Sequence, residues 1–151
     1  MLALTFQIEN TRLALDVRRI SRVVPRVPLE RPAGSPDWLA GVFVYEQAVV
    51  PVVDVHRLLG AGDCPHELSS RIILVPWPRA AAGDQGWLGL LAARVSEIRD
   101  VPAPPSDEQS VSDRPELGPA IVDRDEILRV VDLERLLPPE VREHISGVCS
   151  V

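Results

Sequence analysis

The sequence predicts an all-β chain of two similar subdomains, each a small barrel of about five strands. Three observations point there. Fifteen prolines and nine glycines break the chain every few residues. Val, Ile and Leu mostly fall in short runs, the length of strands rather than helices. The segment Val52 to Leu59, VVDVHRLL, returns 78 residues later as VVDLERLL, Val130 to Leu137, with six of eight positions identical. That repeat favours two barrels over one continuous sandwich, the other arrangement short strands allow. Closure into barrels also removes exposed sheet edges.

The elements follow in order. Leu2 to Ile8 alternates through Leu4, Phe6 and Ile8, and Glu9-Asn10 turns the chain into a second strand from Arg12 to Val17. Between Asp16 and Val24 the apolar positions have helical spacing but β-branched residues dominate, which predicts a short helical turn near Arg18 running into a strand. Pro25, Pro28, Pro32 and Pro36 interrupt ladder pairing and make the stretch to Asp37 an exposed connection, after which Trp38-Leu39 re-enters the core. Gly41 to Gly60 reads as two strands around the polar tip Glu46-Gln47, then Asp54 capping a turn of helix that Gly60 stops. Arg71 to Val75 and Trp87 to Ala92 form a second hairpin with a long mobile tip, WPRAAAGDQG. Pro102 to Pro119 is a surface loop with little fixed structure; Ala120 to Leu137 closes the fold, and a short polar helix starts near Glu140 and frays at its end.

The repeat extends beyond its eight-residue heart. Val44 matches Val122, Val49 matches Ile127, Val50 matches Leu128, and the tip Glu46-Gln47 faces Arg124-Asp125. At nearly the same offset, Arg19 to Val23 faces Arg94 to Ile98. The shared Asp54 and Asp132 sit between a strand and an apolar turn, the position of an N-cap.

Composition excludes several functions. The formal charge of −6 repels a phosphate backbone, so nucleic acid is not an expected partner and a protein surface is. Cys64 and Cys149 stand apart without CxxC spacing and no leader-like segment opens the chain, which together predict a reducing cytoplasm. No apolar run approaches the about 20 residues that span a bilayer, so membrane association is expected only through a partner.

The densest set of potential ligands is Asp54, His56, Asp63, Cys64 and His66, and Cys-x-His could supply two zinc ligands. No second Cys-x-x-Cys or His pair completes it, and neither GxSxG, HExxH nor a Gly-rich phosphate loop occurs, so no metal, no cofactor and no enzyme activity is expected. The rival from another class is a small metal-dependent enzyme using His56, Cys64 and His66. Trp77, between two prolines at a strand end, is a candidate exposed anchor for a partner.

These residues carry a family resemblance. Gly41-Val42, then Ala48-Val49-Val50-Pro51-Val52-Val53-Asp54-Val55, then Arg57-Leu58-Leu59-Gly60 resembles the signature of CheW-like chemotaxis coupling domains, whose usual form runs G-V-I-N-L-R-G-E-V-V-P-V-I-D-L-R. Ala14 to Val17 before Ile20, Leu88 to Leu91 before Val95, and Val131-Asp132-Leu133 agree in order, so the likeness covers almost the whole chain. It implies two SH3-like five-stranded barrels around a shared core, with approximate subdomains 15–85 and 1–14 plus 86–137, and 138–151 as tail or short helix. It implies a cytoplasmic, non-enzymatic adaptor at membrane-associated receptor arrays, coupling a methyl-accepting chemoreceptor to the regulatory domain of a CheA-type histidine kinase. The rival on the same fold is a regulatory module for another signalling partner, in surface motility or second-messenger control.

By the same resemblance, the binding face lies around Ile20, Arg22, Gly41, Glu46, Val95 and Ile98. The chain departs from the family at its hairpin tip, with Val44, Glu46 and Gln47 where Asn, Arg and Gly are usual, and it has Arg22 where an acid is common. If these positions pair, the family's salt bridge is present with its charges exchanged. The alternative is that both side chains are merely exposed. The family's acid after the second Gly-x-x strand is replaced by Ala92-Ala93.

Overall fold

A computed structural model describes residues 1–78, 85–104 and 117–149. Among the described residues ten strands, β1 (Leu2–Ile8), β2 (Thr11–Asp16), β3 (Arg22–Pro25), β4 (Leu39–Tyr45), β5 (Ala48–Asp54), β6 (Arg71–Pro78), β7 (Gln85–Ala92), β8 (Ile98–Asp100), β9 (Ala120–Asp123) and β10 (Glu126–Val130), make two five-stranded sheets. Helices are short: α1 (Val55–Leu58), α2 (Leu133–Leu136) and α3 (Pro139–Cys149), with a 3-10 turn at Val17–Arg19. Residues 79–84, 105–116 and 150–151 lie outside the described residues, and with them most of the expected mobile tip WPRAAAGDQG, most of the expected loop from Pro102 to Pro119 and the expected fraying at the end.

The two sheets have one topology. One runs β8-β1-β2-β10-β9 and the other β3-β6-β7-β5-β4. Each holds one parallel pair, β10 with β2 and β5 with β7. Matching the orders equates β8, β9 and β10 with β3, β4 and β5, and β1 and β2 with β6 and β7. The backbone confirms the match at a single bond: Ser21 N–H donates to the Leu74 carbonyl at 2.8 Å, and Ser96 N–H donates to the Thr5 carbonyl at 3.0 Å. The chain therefore starts midway through one barrel (barrel A), builds the other without interruption (barrel B), and returns to finish the first. This is why the longest run of the repeat falls in the second and last quarters of the sequence.

Period-2 alternation divides the apolar side chains between three cores. Leu4, Phe6, Ile8, Leu13 and Leu15 from barrel A meet Val53, Ile73, Val75, Leu88 and Leu90 from barrel B in a shared core, closed by Leu133, Leu136, Leu137, Val141 and Ile145 of α2 and α3. The opposite faces of the same strands fill the barrels, with Val50, Val52, Ile72, Leu74 and Leu91 in B and Ala3, Ala14, Ile121, Leu128 and Val130 in A. Strands such as RIILV are apolar on both faces because both faces are buried.

Sheet membership moves the expected division of the chain. β7 lies hydrogen-bonded between β6 and β5, so the break falls between Ala92 and Ile98 rather than near residue 85, and β2 stays whole in barrel A. β6 also runs past its expected end at Val75, pairing Trp77 with Gly86 and Pro78 with Gln85. Leu74 turns its backbone groups toward β3, and Pro76 and Pro78 share its parity. Their missing N–H groups thus face the side that β3 leaves open beyond Arg22, the one place prolines do not break a ladder.

Candidate partner-binding surface

The outward face of barrel B is set by its β4–β5 hairpin. Glu46 and Gln47 both take left-handed backbone, φ +47° and +67°, which makes a two-residue turn whose twist matches the flanking strands. In barrel A, Arg124 and Asp125 do the same at φ +50° and +64°. With the turns fixed, parity puts Val44 and Val49 outward as a cross-strand pair in B, and Val122 and Ile127 outward in A. Val44, Val122 and Ile127 are 72%, 69% and 66% exposed, large values for aliphatic side chains. Val23 on β3 and Ile98 on β8, likewise equivalent, are exposed too.

Barrel closure brings the start of β3 to the hairpin tip. Arg22 Nη1 lies 3.9 Å from Glu46 Oε1, at the outer limit of an ion pair, with both side chains more than half exposed. The guanidinium carbon also stands 5.9 Å from the centre of the Tyr45 ring. Tyr45 is held in turn by an edge-on contact with Trp87 at 5.2 Å and a tilted one with Phe43 at 6.3 Å. The mouth of barrel B is thus an aromatic cluster.

The mouth of barrel A is chemically different. Arg99, its side chain only 9% exposed, meets Glu126 at 2.7 Å, Asp123 at 3.6 Å and Glu97 at 3.8 Å. The hydrogen bond from Arg99 pulls the Glu126 carboxyl below its usual range, with the positive charges of Arg12, Arg99 and Arg124 assisting. By the strand match Asp123 occupies the place of Tyr45, and Arg12 that of Trp87.

The other residues singled out in the sequence fall into place as follows. Ile98 is exposed, while Ile20 and Val95 are half-buried against the shared core. Gly41 is buried: at φ +148° a Cβ there would lie 2.8 Å from Leu29 Cβ and 2.9 Å from the Glu30 carbonyl, so it admits the 26–38 connection against β4. Trp77 is also half-buried against the shared core. Asp54 Oδ1 accepts from His56 N–H at 3.0 Å and Arg57 N–H at 3.2 Å, and its Oδ2 from Cys64 N–H at 2.9 Å. Asp132 accepts from Glu134 N–H at 3.1 Å.

The ligand-rich loop is built into the fold. His56 is 3% exposed and its Nε2 accepts from Ala93 N–H at 3.2 Å; burial lowers its pKa. The Cys64 thiol is buried and pushed up to about 11, first by desolvation. His66 faces Arg26 at the surface. Among the described residues no three His, Cys, Asp or Glu side chains gather as a metal-holding group, and no helix is long and apolar enough to cross a membrane.

Sequence reasoning passed over Val23, Val49, Val122 and Ile127 as surface residues. The signal was there: apolar residues repeated at the same parity on either side of two polar tips.

Two SH3-like barrels of one topology are fused through a shared core, and each presents an outward apolar hairpin. A CheW-like domain model matches residues 2–140, and the chain belongs to that family of chemotaxis scaffolds. The fold is similar to that of the scaffolding protein TtCheW from Thermoanaerobacter tengcongensis, with a TM-score of 0.73 and 20% identity over 93% of this chain and 89% of that one. A comparison with curated protein sequences gave no significant match.

Proposed function

We propose that the chain is a non-enzymatic coupling adaptor, cytoplasmic and held at membrane-associated receptor arrays. It links a methyl-accepting chemoreceptor to the regulatory domain of a CheA-type histidine kinase. The observation that carries the reading is the pair of equivalent outward hairpin faces, Val44–Val49 and Val122–Ile127, on a chain that belongs to a scaffold family. Two like faces on barrels joined by a shared core suit a protein that must hold two others at once. Supporting it, His56, Cys64 and Asp54 are committed to backbone contacts or to burial rather than converging on a ligand.

The test is calorimetric titration of the purified protein with the host's kinase regulatory domain and with the signalling fragment of its receptor. Val44→Asp and Val122→Asp should each weaken binding of one of the two more than tenfold, since burying an aliphatic side chain is worth about 1.5–3 kcal/mol and a carboxylate forfeits it. Thermal unfolding should not change, because both positions are exposed. A wild-type protein that binds neither probe would refute the adaptor reading.

A further inference from the structure

The two faces share one frame, with a cation and an anion exchanged between equivalent positions. On barrel B the edge-strand position is Arg22 and the turn position is Glu46; the equivalent positions on barrel A are Glu97 and Arg124. The chain matched itself closely enough to keep turns, registers and apolar pairs, so this exchange is a difference at four surface sites on a common frame.

The two edges also differ in what they leave available. Arg22 touches Glu46 only at 3.9 Å and rests beside the Tyr45 ring, so most of its donors point at solvent. An exposed guanidinium beside an aromatic ring, next in sequence to the exposed Val23, is the composition of a binding hot spot that accepts a carboxylate. On barrel A the cation at the corresponding edge, Arg99, is held in the barrel mouth by Glu126 at 2.7 Å; Glu97 lies 3.8 Å from it, as loosely paired as Arg22 with Glu46, and with its side chain 54% exposed it stands beside Ile98, 62% exposed. That edge offers an acid beside an apolar residue.

We infer that the faces select partners by charge: the barrel B edge takes a protein surface that presents a carboxylate to Arg22, and the barrel A edge one that presents a cation to Glu97. This rests on the adaptor reading and deepens it. A partner fitted to one edge meets a like charge on the other, so the two docking events do not exchange although the frames that support them are alike. Arg22 and Glu97 are accordingly the residues that decide which partner lies on which side.

The experiment uses the full chain, its Arg22→Glu and Glu97→Arg variants and the double variant, titrated with the same kinase regulatory domain and receptor signalling fragment. Arg22→Glu should weaken one probe at least tenfold, about 1.4 kcal/mol, and leave the other within twofold; Glu97→Arg should do the reverse. Both losses should shrink at 0.5 M salt, where exposed charges are screened, a response that a lost structural contact does not give. Unaltered thermal unfolding shows that the variants fold. Equal loss for one probe from both variants, loss independent of salt, or wild-type affinity in both would overturn the charge-selection inference while leaving the adaptor reading standing. A wild type that binds neither probe would remove both.

Discussion

Asp54 and Asp132 occupy one position of a repeated motif, yet the structure assigns them unequal work, and that inequality can be measured. Asp54 is 5% exposed and accepts three N–H groups: two cap α1, and the third, from Cys64, pins the loop that follows. Asp132, its side chain 34% exposed, accepts one cap bond from Glu134. Losing a cap costs about 0.5–2 kcal/mol, and leaving a buried donor without a partner costs about 1–3 kcal/mol more. Asp54→Ala should therefore destabilise by about 3 kcal/mol and Asp132→Ala by about 1 kcal/mol. For a chain of this length that is a fall in Tm of about 6–12 °C against about 2–4 °C. Asp54→Asn should fall between, because one amide oxygen can still cap α1 while the amide nitrogen is set against Cys64 N–H. The assay is urea unfolding at neutral pH, with equal m-values required before the midpoints are compared. Losses for the two alanine variants within about 0.5 kcal/mol of each other would show that the Cys64 bond adds nothing, and the reasoning would fail.

Three further outcomes follow from the same contacts. Gly41→Ala should cost about 2 kcal/mol or more, since its Cβ would meet Leu29 and the Glu30 carbonyl under 3 Å, read as a lower midpoint in the same urea assay. Arg99→Met should destabilise the chain at pH 7 by removing the cation that pairs with Asp123 and hydrogen-bonds Glu126. Glu126 is held below its ordinary pKa in the native state, so its contribution is present above about pH 4.3 and fades as acid protonates it; the gap between wild type and variant should narrow below pH 4. His56 has the same sign: burial depresses its pKa, so the unfolded chain takes up a proton first, and stability should decline as pH falls below about 6.5. His56→Gln should flatten that part of the profile in unfolding measured at pH 7.5, 6.5 and 5.5.

Much of the fold can be read from local chemistry because turns and caps are local. Glu46-Gln47 announces a tip, Asp54 and Asp132 announce helix starts, and the 78-residue offset announces two units. What the sequence hides is whatever depends on a neighbour distant along the chain. β7 follows β6 in a hairpin, yet its place beside β5 rests on a parallel pairing that no local signal marks. Pro76 and Pro78 stop a strand by rule, and only the short reach of β3 makes them harmless here. Gly41 looked like part of a binding face because it stands in a recognisable motif; its neighbours Leu29 and Glu30 come from a connection with no regular pattern. Trp77 is half-buried for the same reason, since the shared core it meets belongs mostly to other elements. The closeness of Arg22 and Glu46 was open in the sequence, and barrel closure brings them to 3.9 Å.

The two mouths show how far a repeated frame constrains its contents. Parallel registers pair Val52 with Gly89 in barrel B and Val130 with Ala14 in barrel A, so Gly89 and Ala14 are equivalent. A Cβ on Gly89 would approach Ile72 and Val52 to 2.8 and 3.0 Å, and a small residue stands at the matching site in barrel A, where backbones must come close. Two residues along the same strands toward the mouth, the constraint is gone: Trp87 meets Tyr45 in one barrel, and Arg12 stands near the Arg99–Glu126 pair in the other. An aromatic set and an ionic set close the same frame because the turns and pairings, not the plug, hold the backbone there. The outer positions are freer still, and there the charges exchange outright between Arg22 with Glu46 and Glu97 with Arg124. Constraint thus falls from the barrel middle to the mouth to the surface. Family membership is carried by the first, and the substitutions proposed to redirect binding lie in the last, where they are least able to disturb folding.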